Sequence, residues 1–167
     1  MPSETNRVTT TIREEIKQGR PFRSKAHEAY VTLLRTTDDS KRFVSQVLEP
    51  EGVTLQQYNV LRILRGAGSD GLPTLSVAER MVERTPGVTR LIDRMERKGW
   101  VRRQRCTEDR RRVWCKITDD GLDLLGRLDA PIDQVDHILS GALDDRELDA
   151  FVEYMNRVRA HLREITD

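Results

Sequence analysis

The side chains whose types and spacing suit a specific chemistry lie in residues 85–117 of this 167-residue chain. Arg90, Arg94 and Arg97 recur at helical spacing, and Arg110, Arg111 and Arg112 stand together just after Glu108 and Asp109. A guanidinium keeps its charge at any working pH and presents a planar fork of donors, which matches phosphate oxygens and the acceptor edge of a guanine. Thr89 sets a hydroxyl, both donor and acceptor, beside Arg90. This is chemistry for holding a polyanion, not for breaking a bond.

Two elements must position these groups. In the first, Thr85 suits an N-cap and Pro86 the first helical position. Val88, Leu91, Ile92 and Met95 follow at i, i+3, i+4 and i+7 and form one apolar face. Gly87, Thr89, Arg90, Arg94 and Arg97 fall on the other, and Gly99 ends the helix. In the second, residues 101–107 and 112–118 predict a two-stranded hairpin, with Val113, Cys115 and Ile117 alternating against Trp114 and Lys116. Residues 108–111 form its charged turn. A helix with an arginine-studded outer face beside a basic hairpin suits a duplex, helix in the groove and hairpin along the backbone.

Charge is localised in the same stretch. Residues 76–116 hold 13 Lys and Arg against 6 Asp and Glu, and residues 117–167 hold 5 against 13, within a chain of net charge +1. A basic segment beside an acidic one predicts a confined polyanion site. Catalytic signatures are absent: there is no P-loop, no GxSxG and no HExxH. His27, His137 and His161 are far apart in sequence with no ligand cluster near them, so neither a metal nor a cofactor is expected. Two cysteines make no disulfide framework, the first residues carry no apolar signal segment, and no apolar run is long enough to span a bilayer. The expected location is a reducing cytoplasm, away from membranes.

The rest of the chain reads as scaffold. Residues 1–23 are polar and predict a flexible segment. Residues 24–53 predict a long helix with Ala26, Tyr30, Leu33, Leu34, Thr37, Val44, Val47 and Leu48 along one side, closed by Pro50 and Gly52. Thr54 and Gln57 have capping-box spacing, so a helix runs from there past Tyr58, Leu61 and Leu64. Gly66, Gly68 and Gly71 mark a loop, and Thr74 is placed to cap a short helix ending near Arg84. Beyond the hairpin, residues 119–121 open a helix that Pro131 is expected to break or restart. Asp144 and Glu147 cap a last helix whose Leu148, Phe151, Val152, Met155, Val158, Leu162 and Ile165 make another apolar stripe.

The expected fold is therefore mainly α with a small β-hairpin wing. A winged helix-turn-helix domain over residues 54–118 is flanked by long dimerisation helices, 24–53 before it and 119–167 after it. Residues 55–125 resemble the MarR family of bacterial transcriptional regulators. The matching runs are TLQQYNVLRIL, AERM, TPGVTRLIDRMERKGWV, the EDRRR wing and KITDDGLDLL.

The resemblance implies a homodimeric repressor on a pseudo-palindromic operator in double-stranded DNA, released by a small-molecule effector. It assigns Thr85, Gly87, Thr89, Arg90 and Arg94 to the groove-facing helix. Asp109 would steady the wing tip, while Arg110, Arg111 and the adjoining Arg112 would contact DNA. Tyr30, Tyr58 and Arg62 are candidates for lining an effector cleft, although such tyrosines are more often core with a solvated hydroxyl.

Other readings stay open on the residues alone. The helix arginines fit a solvated face, and those of the turn fit a guard on an edge strand. A winged helix used for protein–protein contact has the same outline. Cys115 reads as a small core hydrophobe, whereas Cys106 is flanked by arginine and fits a redox switch. The division of roles is testable by titration against specific and random duplexes. Arg90→Ala is expected to cost about 1–3 kcal/mol and relax specificity, and Arg111→Ala to weaken all duplexes evenly. Equal losses on both duplexes for both variants would refute the division.

Overall fold

The computed structural model describes residues 10–83, 86–105 and 113–166. Its helices are α1 (Ile12–Glu15), α2 (Lys25–Leu48), α3 (Leu55–Gly66), α4 (Thr74–Arg80), α5 (Val88–Arg97), α6 (Asp119–Ser140) and α7 (Asp145–Glu164). Its strands are β1 (Leu72–Pro73), β2 (Val101–Arg105) and β3 (Val113–Ile117). The chain divides into two compact units that part between Phe43 and Val44, a boundary that falls within α2.

In the first unit, a Thr11–Glu14 capping box starts α1, and Arg13 donates to the carbonyls of Gln18 and Gly19. Ser24 Oγ accepts from the amide of His27 at 3.1 Å and so begins α2 one residue inside the expected range. Phe22 meets the His27 ring edge-on, with centroids 5.4 Å apart. Along α2, Tyr30 and Leu34 stay more than half exposed, at 58% and 53%.

The second unit holds the core. Leu48, Val60, Leu61, Leu64, Val77, Leu91, Ile92, Met95, Val101, Cys115, Leu124, Leu125 and Leu128 are all buried together. Burying such side chains contributes about 1.5–3 kcal/mol each before chain entropy is set against it. The Thr54–Gln57 capping box forms as the spacing predicts. Arg65 joins α3 to α6 by holding both Asp129 oxygens at 2.9 Å. Helix α7 opens on the expected Asp144–Glu147 box but buries none of its residues fully.

Five expectations are corrected. The hairpin is part of a three-stranded antiparallel sheet in the order β1-β3-β2, with Leu72 opposite Cys115 and Arg103 opposite Cys115 on its other side. Gly71 allows that third strand: at φ 71°, its Cα lies so close to β3 that a Cβ would sit 2.4 Å from the Cys115 carbonyl oxygen. Thr74 does not cap α4 from outside. It is the first helical residue after Pro73, and its hydroxyl donates to the Val113 carbonyl at 3.2 Å. The helix then stops at Arg80, where Met81 turns extended and the Val82 amide donates to Asn59 Oδ1 at 2.9 Å.

Pro131 neither breaks nor restarts α6, which runs unbroken from Asp119 to Ser140. The carbonyl left without its donor belongs to Arg127 on the exposed face, where water can replace the bond. Leu124, Leu125, Leu128 and Ile132 meanwhile tie the helix to the core on both sides of the proline. Helix α5, finally, begins at Val88 rather than at Pro86. Gly87 precedes it at φ 83° and ψ 32°, a left-handed turn that a residue with a Cβ rarely adopts. Gly99 leaves the helix at φ 78°, as expected.

The exit of α5 is locked to α6 by Thr118. Its hydroxyl donates to the Gly99 carbonyl at 2.6 Å and accepts from the Gly121 amide at 3.2 Å. At Gly121 a Cβ would sit 2.3 Å from the Trp100 carbonyl oxygen, whereas at Gly126 in the same helix it would meet nothing within 4 Å. Gly121→Ala is therefore expected to destabilise the protein by about 1–3 kcal/mol. Gly126→Ala should stabilise it by about 0.5–1 kcal/mol, since alanine is the better helix former. Urea denaturation of the two variants measures both signs; a stabilising Gly121→Ala would contradict the close approach.

Candidate nucleic-acid interface

Helix α5 turns its sequence pattern into two faces. Val88, Leu91, Ile92 and Met95 are buried at 8%, 2%, 0% and 0% exposure, while Gly87, Thr89, Arg90, Arg94 and Arg97 are exposed. The first set belongs to the core shared with α3, α6 and β2. The second therefore faces solvent along the helix.

The cations of this region divide by what they touch. Lys98 lies over the Trp100 ring, 4.2 Å from its centroid, and donates to the Gly52 carbonyl at 2.9 Å. Arg97 Nε reaches the Asp93 carbonyl at 3.4 Å. Arg103, on β2, meets two acids of α5, with Nη1 2.5 Å from Asp93 Oδ1 and Nη2 2.6 Å from Glu96 Oε2. Its backbone amide also donates to Glu96 Oε1 at 2.9 Å, and its Nε to Glu96 Oε2 at 2.8 Å. The guanidinium bond and the amide bond hold the Glu96 carboxyl below its ordinary range. By contrast, Arg90, Arg94 and Arg102 are exposed, and no acidic side chain among the described residues pairs with them. Those three keep a full charge available for phosphate or base edges.

Of the residues picked out by type and spacing, Gly87, Thr89, Arg90 and Arg94 come together on the outer side of α5. Thr85, Cys106, Asp109, Arg110, Arg111 and Arg112 lie outside the described residues. Tyr58 is 6% exposed and belongs to the core, with the Arg62 guanidinium 5.8 Å from its ring centroid. Burial pushes its hydroxyl above the ordinary tyrosine value. Tyr30 belongs to the other unit and is exposed on α2. Among the described residues no group of His, Cys, Asp and Glu is placed to hold a metal ion, and no helix is long and apolar enough to cross a membrane.

Arg103 is the residue that pattern alone does not reveal. It sits in a run of basic residues where each looks equally free, and only the fold brings it against Asp93 and Glu96. Asn59, which receives the Val82 amide between α4 and α5, is hidden for the same reason.

Against known proteins, the MarR family model matches residues 53–113. The chain is 38% identical to the structure of a MarR transcription factor from Planctomyces limnophilus, covering 81% of this chain and 98% of that one at a TM-score of 0.63. It is 25% identical to MepR of S. aureus, solved as a complex with DNA, over 79% of this chain and 97% of that one at a TM-score of 0.73. A 74-residue stretch is 39% identical to the transcriptional repressor MdtR of Bacillus subtilis (strain 168), covering 44% of this chain and 46% of that protein.

Cys115 is fully buried at the centre of β3, with its sulfur 3.3 Å from the Thr74 hydroxyl. Burial pushes its thiol above the ordinary value, against a smaller opposing pull from Thr74. A raised thiol keeps its proton in the fold, so the associated stability is present below the unfolded thiol value of about 8.5 and is lost as pH rises through the folded one. In a Cys106→Ser background, Cys115 should resist a maleimide at neutral pH and react once urea unfolds the chain. Rapid labelling of the folded protein would contradict the burial.

Proposed function

This chain belongs to the MarR family of DNA-binding transcriptional regulators, which are not enzymes, and from that premise we propose that it is a homodimeric repressor of a pseudo-palindromic operator. The observation that carries the reading is the outer face of α5, where Thr89, Arg90 and Arg94 stand exposed, in a chain whose strands β2 and β3 are joined in sequence by an arginine-rich run. Thr89, Arg90 and, one turn on, Arg94 read base edges in the major groove. Arg110, Arg111 and Arg112 neutralise phosphates, with Asp109 steadying their turn and Thr85 and Gly87 setting the entry of the helix. Arg102 adds charge on the wing strand.

A homodimer accounts for what α7 leaves uncovered. Phe151, Val158, Leu162 and Ile165 are exposed at 36%, 43%, 47% and 64%, a line of apolar surface that a chain in water does better to bury. Two copies of α5 then meet half-sites about one helical turn, ~34 Å, apart. Release by a small molecule follows the family resemblance, and a change in the spacing of the two recognition helices is its mechanism. The cytoplasm, where the chromosome lies, is the assigned location.

The test is fluorescence anisotropy on DNA from upstream of the protein's own gene, with a scrambled duplex of equal length and a range of salt. Tight binding to the first duplex, weak binding to the second and a steep salt dependence are expected. Selection from random DNA replaces the upstream duplex if both bind alike. A Val158→Glu/Leu162→Glu variant should run as a monomer in sedimentation equilibrium and lose about 100-fold or more in operator affinity, because the second half-site no longer adds its effective concentration. No binding of the wild type to any duplex at low salt sinks the regulator reading in favour of a protein-interaction module.

A further inference from the structure

The Arg103 cluster joins two elements that otherwise meet only at one end. Helix α5 and strand β2 are linked by Lys98, Gly99 and Trp100, and the amide of Trp100 closes that turn onto the Met95 carbonyl at 3.1 Å. Beyond this root, β2 runs out towards Arg105, and the arginine-rich run of residues 106–112 follows it in the sequence. Strand β3 is held along its far side by β1, at Cys115 and Trp114, and by the Thr74 hydroxyl on the Val113 carbonyl, whereas β2 is the outer strand of the sheet and has β3 on one side only.

Arg103 supplies a second hold, midway along β2. It spans Asp93 and Glu96, which lie one turn apart on α5, and fixes Glu96 through its own backbone amide as well as its guanidinium. Its register partner is Cys115, buried in the centre of β3, so β2 is held from both sides at this residue. The planar guanidinium suits the task, since one group can meet two carboxylates in fixed directions. Its exposed position means that it adds little to stability. Asp93 and Glu96 are, moreover, acids on a helix that is to meet DNA, where charge alone disfavours them.

We propose that Arg103, held by Asp93 and Glu96, is a positioning residue that sets the angle of the wing to the recognition helix, so that the helix and the wing arginines engage one duplex together. This rests on the DNA-binding reading above. It assigns Asp93 and Glu96 a role that simple phosphate attraction cannot, because it makes two acids necessary for tight binding to a polyanion.

The sign of one substitution decides the matter. Removing an acid from a DNA-facing helix tightens binding if charge alone operates, and frees Arg103 to meet a phosphate. If the acid positions Arg103, removing it weakens binding. Wild type, Glu96→Ala and Arg103→Ala are titrated by anisotropy against a duplex selected from random DNA by the wild type and against its scramble, over a range of salt. Thermal melts followed by circular dichroism confirm that each variant is folded.

Both variants are expected to lose about fivefold or more on the selected duplex. Both should also show a shallower salt dependence, by about 0.9 in slope for each wing phosphate contact no longer made. Should Arg103→Ala not fold, Glu96→Ala carries the test. Tighter binding by Glu96→Ala, or an unchanged salt slope in both variants, overturns the proposal while leaving the regulator reading intact. Failure of the wild type to select any duplex overturns both.

Discussion

A helix that offers one face to a polyanion can be held only by the other. Everything around α5 follows from that constraint. The outer face sets Arg90 and Arg94 one turn apart, a like-charge pair that costs about 0.2–0.5 kcal/mol on a helix surface. Against this stand Val88, Leu91, Ile92 and Met95 in the core, at about 1.5–3 kcal/mol each. Burial wins by an order of magnitude, so the outer face can be chosen for recognition without regard to stability. The ends of the helix are fixed separately, by Gly87 at its entry and by the Gly99–Thr118 hydrogen bond at its exit.

Electrostatics then sorts the cations by function more than it adds stability. Arg65, Arg103 and Arg127 are paired with Asp129, with Asp93 and Glu96, and with Glu51, all at partly exposed sites. Such pairs contribute about 0–1 kcal/mol. Their effect is geometric: each joins separate elements, α3 to α6, the consecutive α5 and β2, or α6 to the turn before α3. Arg90, Arg94 and Arg102 lack such partners among the described residues and keep their charge for an outside partner. The acidic composition of residues 117–167 keeps the net charge of the whole chain near zero, so attraction to nucleic acid is local.

What could be read from the sequence was what has a period or a local partner. The faces of α5, the capping boxes at Thr54 and Asp144 and the long run of α2 depend on residues three or four apart, and all four appear in the structure. The features that escaped depend on distant partners. Strand β1 is two residues long, too short for any alternation, and exists because β3 offers it an edge. Thr74 looked like a cap, yet its hydroxyl turns to a carbonyl on β3, 39 residues away. Pro131 obeyed a local rule against helices and was overruled by packing on both sides of it. Gly87 was read as one residue of a polar face, although its backbone angle makes it the start of the helix.

Arg103 escaped for a different reason, since its partners are only seven and ten residues away but lie across the turn from α5 to β2, where no single period holds, and its case shows how site and scaffold differ in legibility. Residue type announces that a guanidinium can bind phosphate, but the same type also serves inside a fold. Five arginines and one lysine lie between Arg94 and Arg105, and their chemistry is nearly identical. Position divides them: Lys98 is taken by Trp100 and Gly52, Arg97 by its own helix, and Arg103 by two carboxylates. A count of charge therefore overstates what is free to meet DNA, and the arrangement of acids corrects it. Asp93 and Glu96 lower the net charge of the helix proposed to read DNA, and through Arg103 they tie that helix to β2. The net charge points to the proposed interface, while the ion pairs decide which of its cations are taken up within the fold.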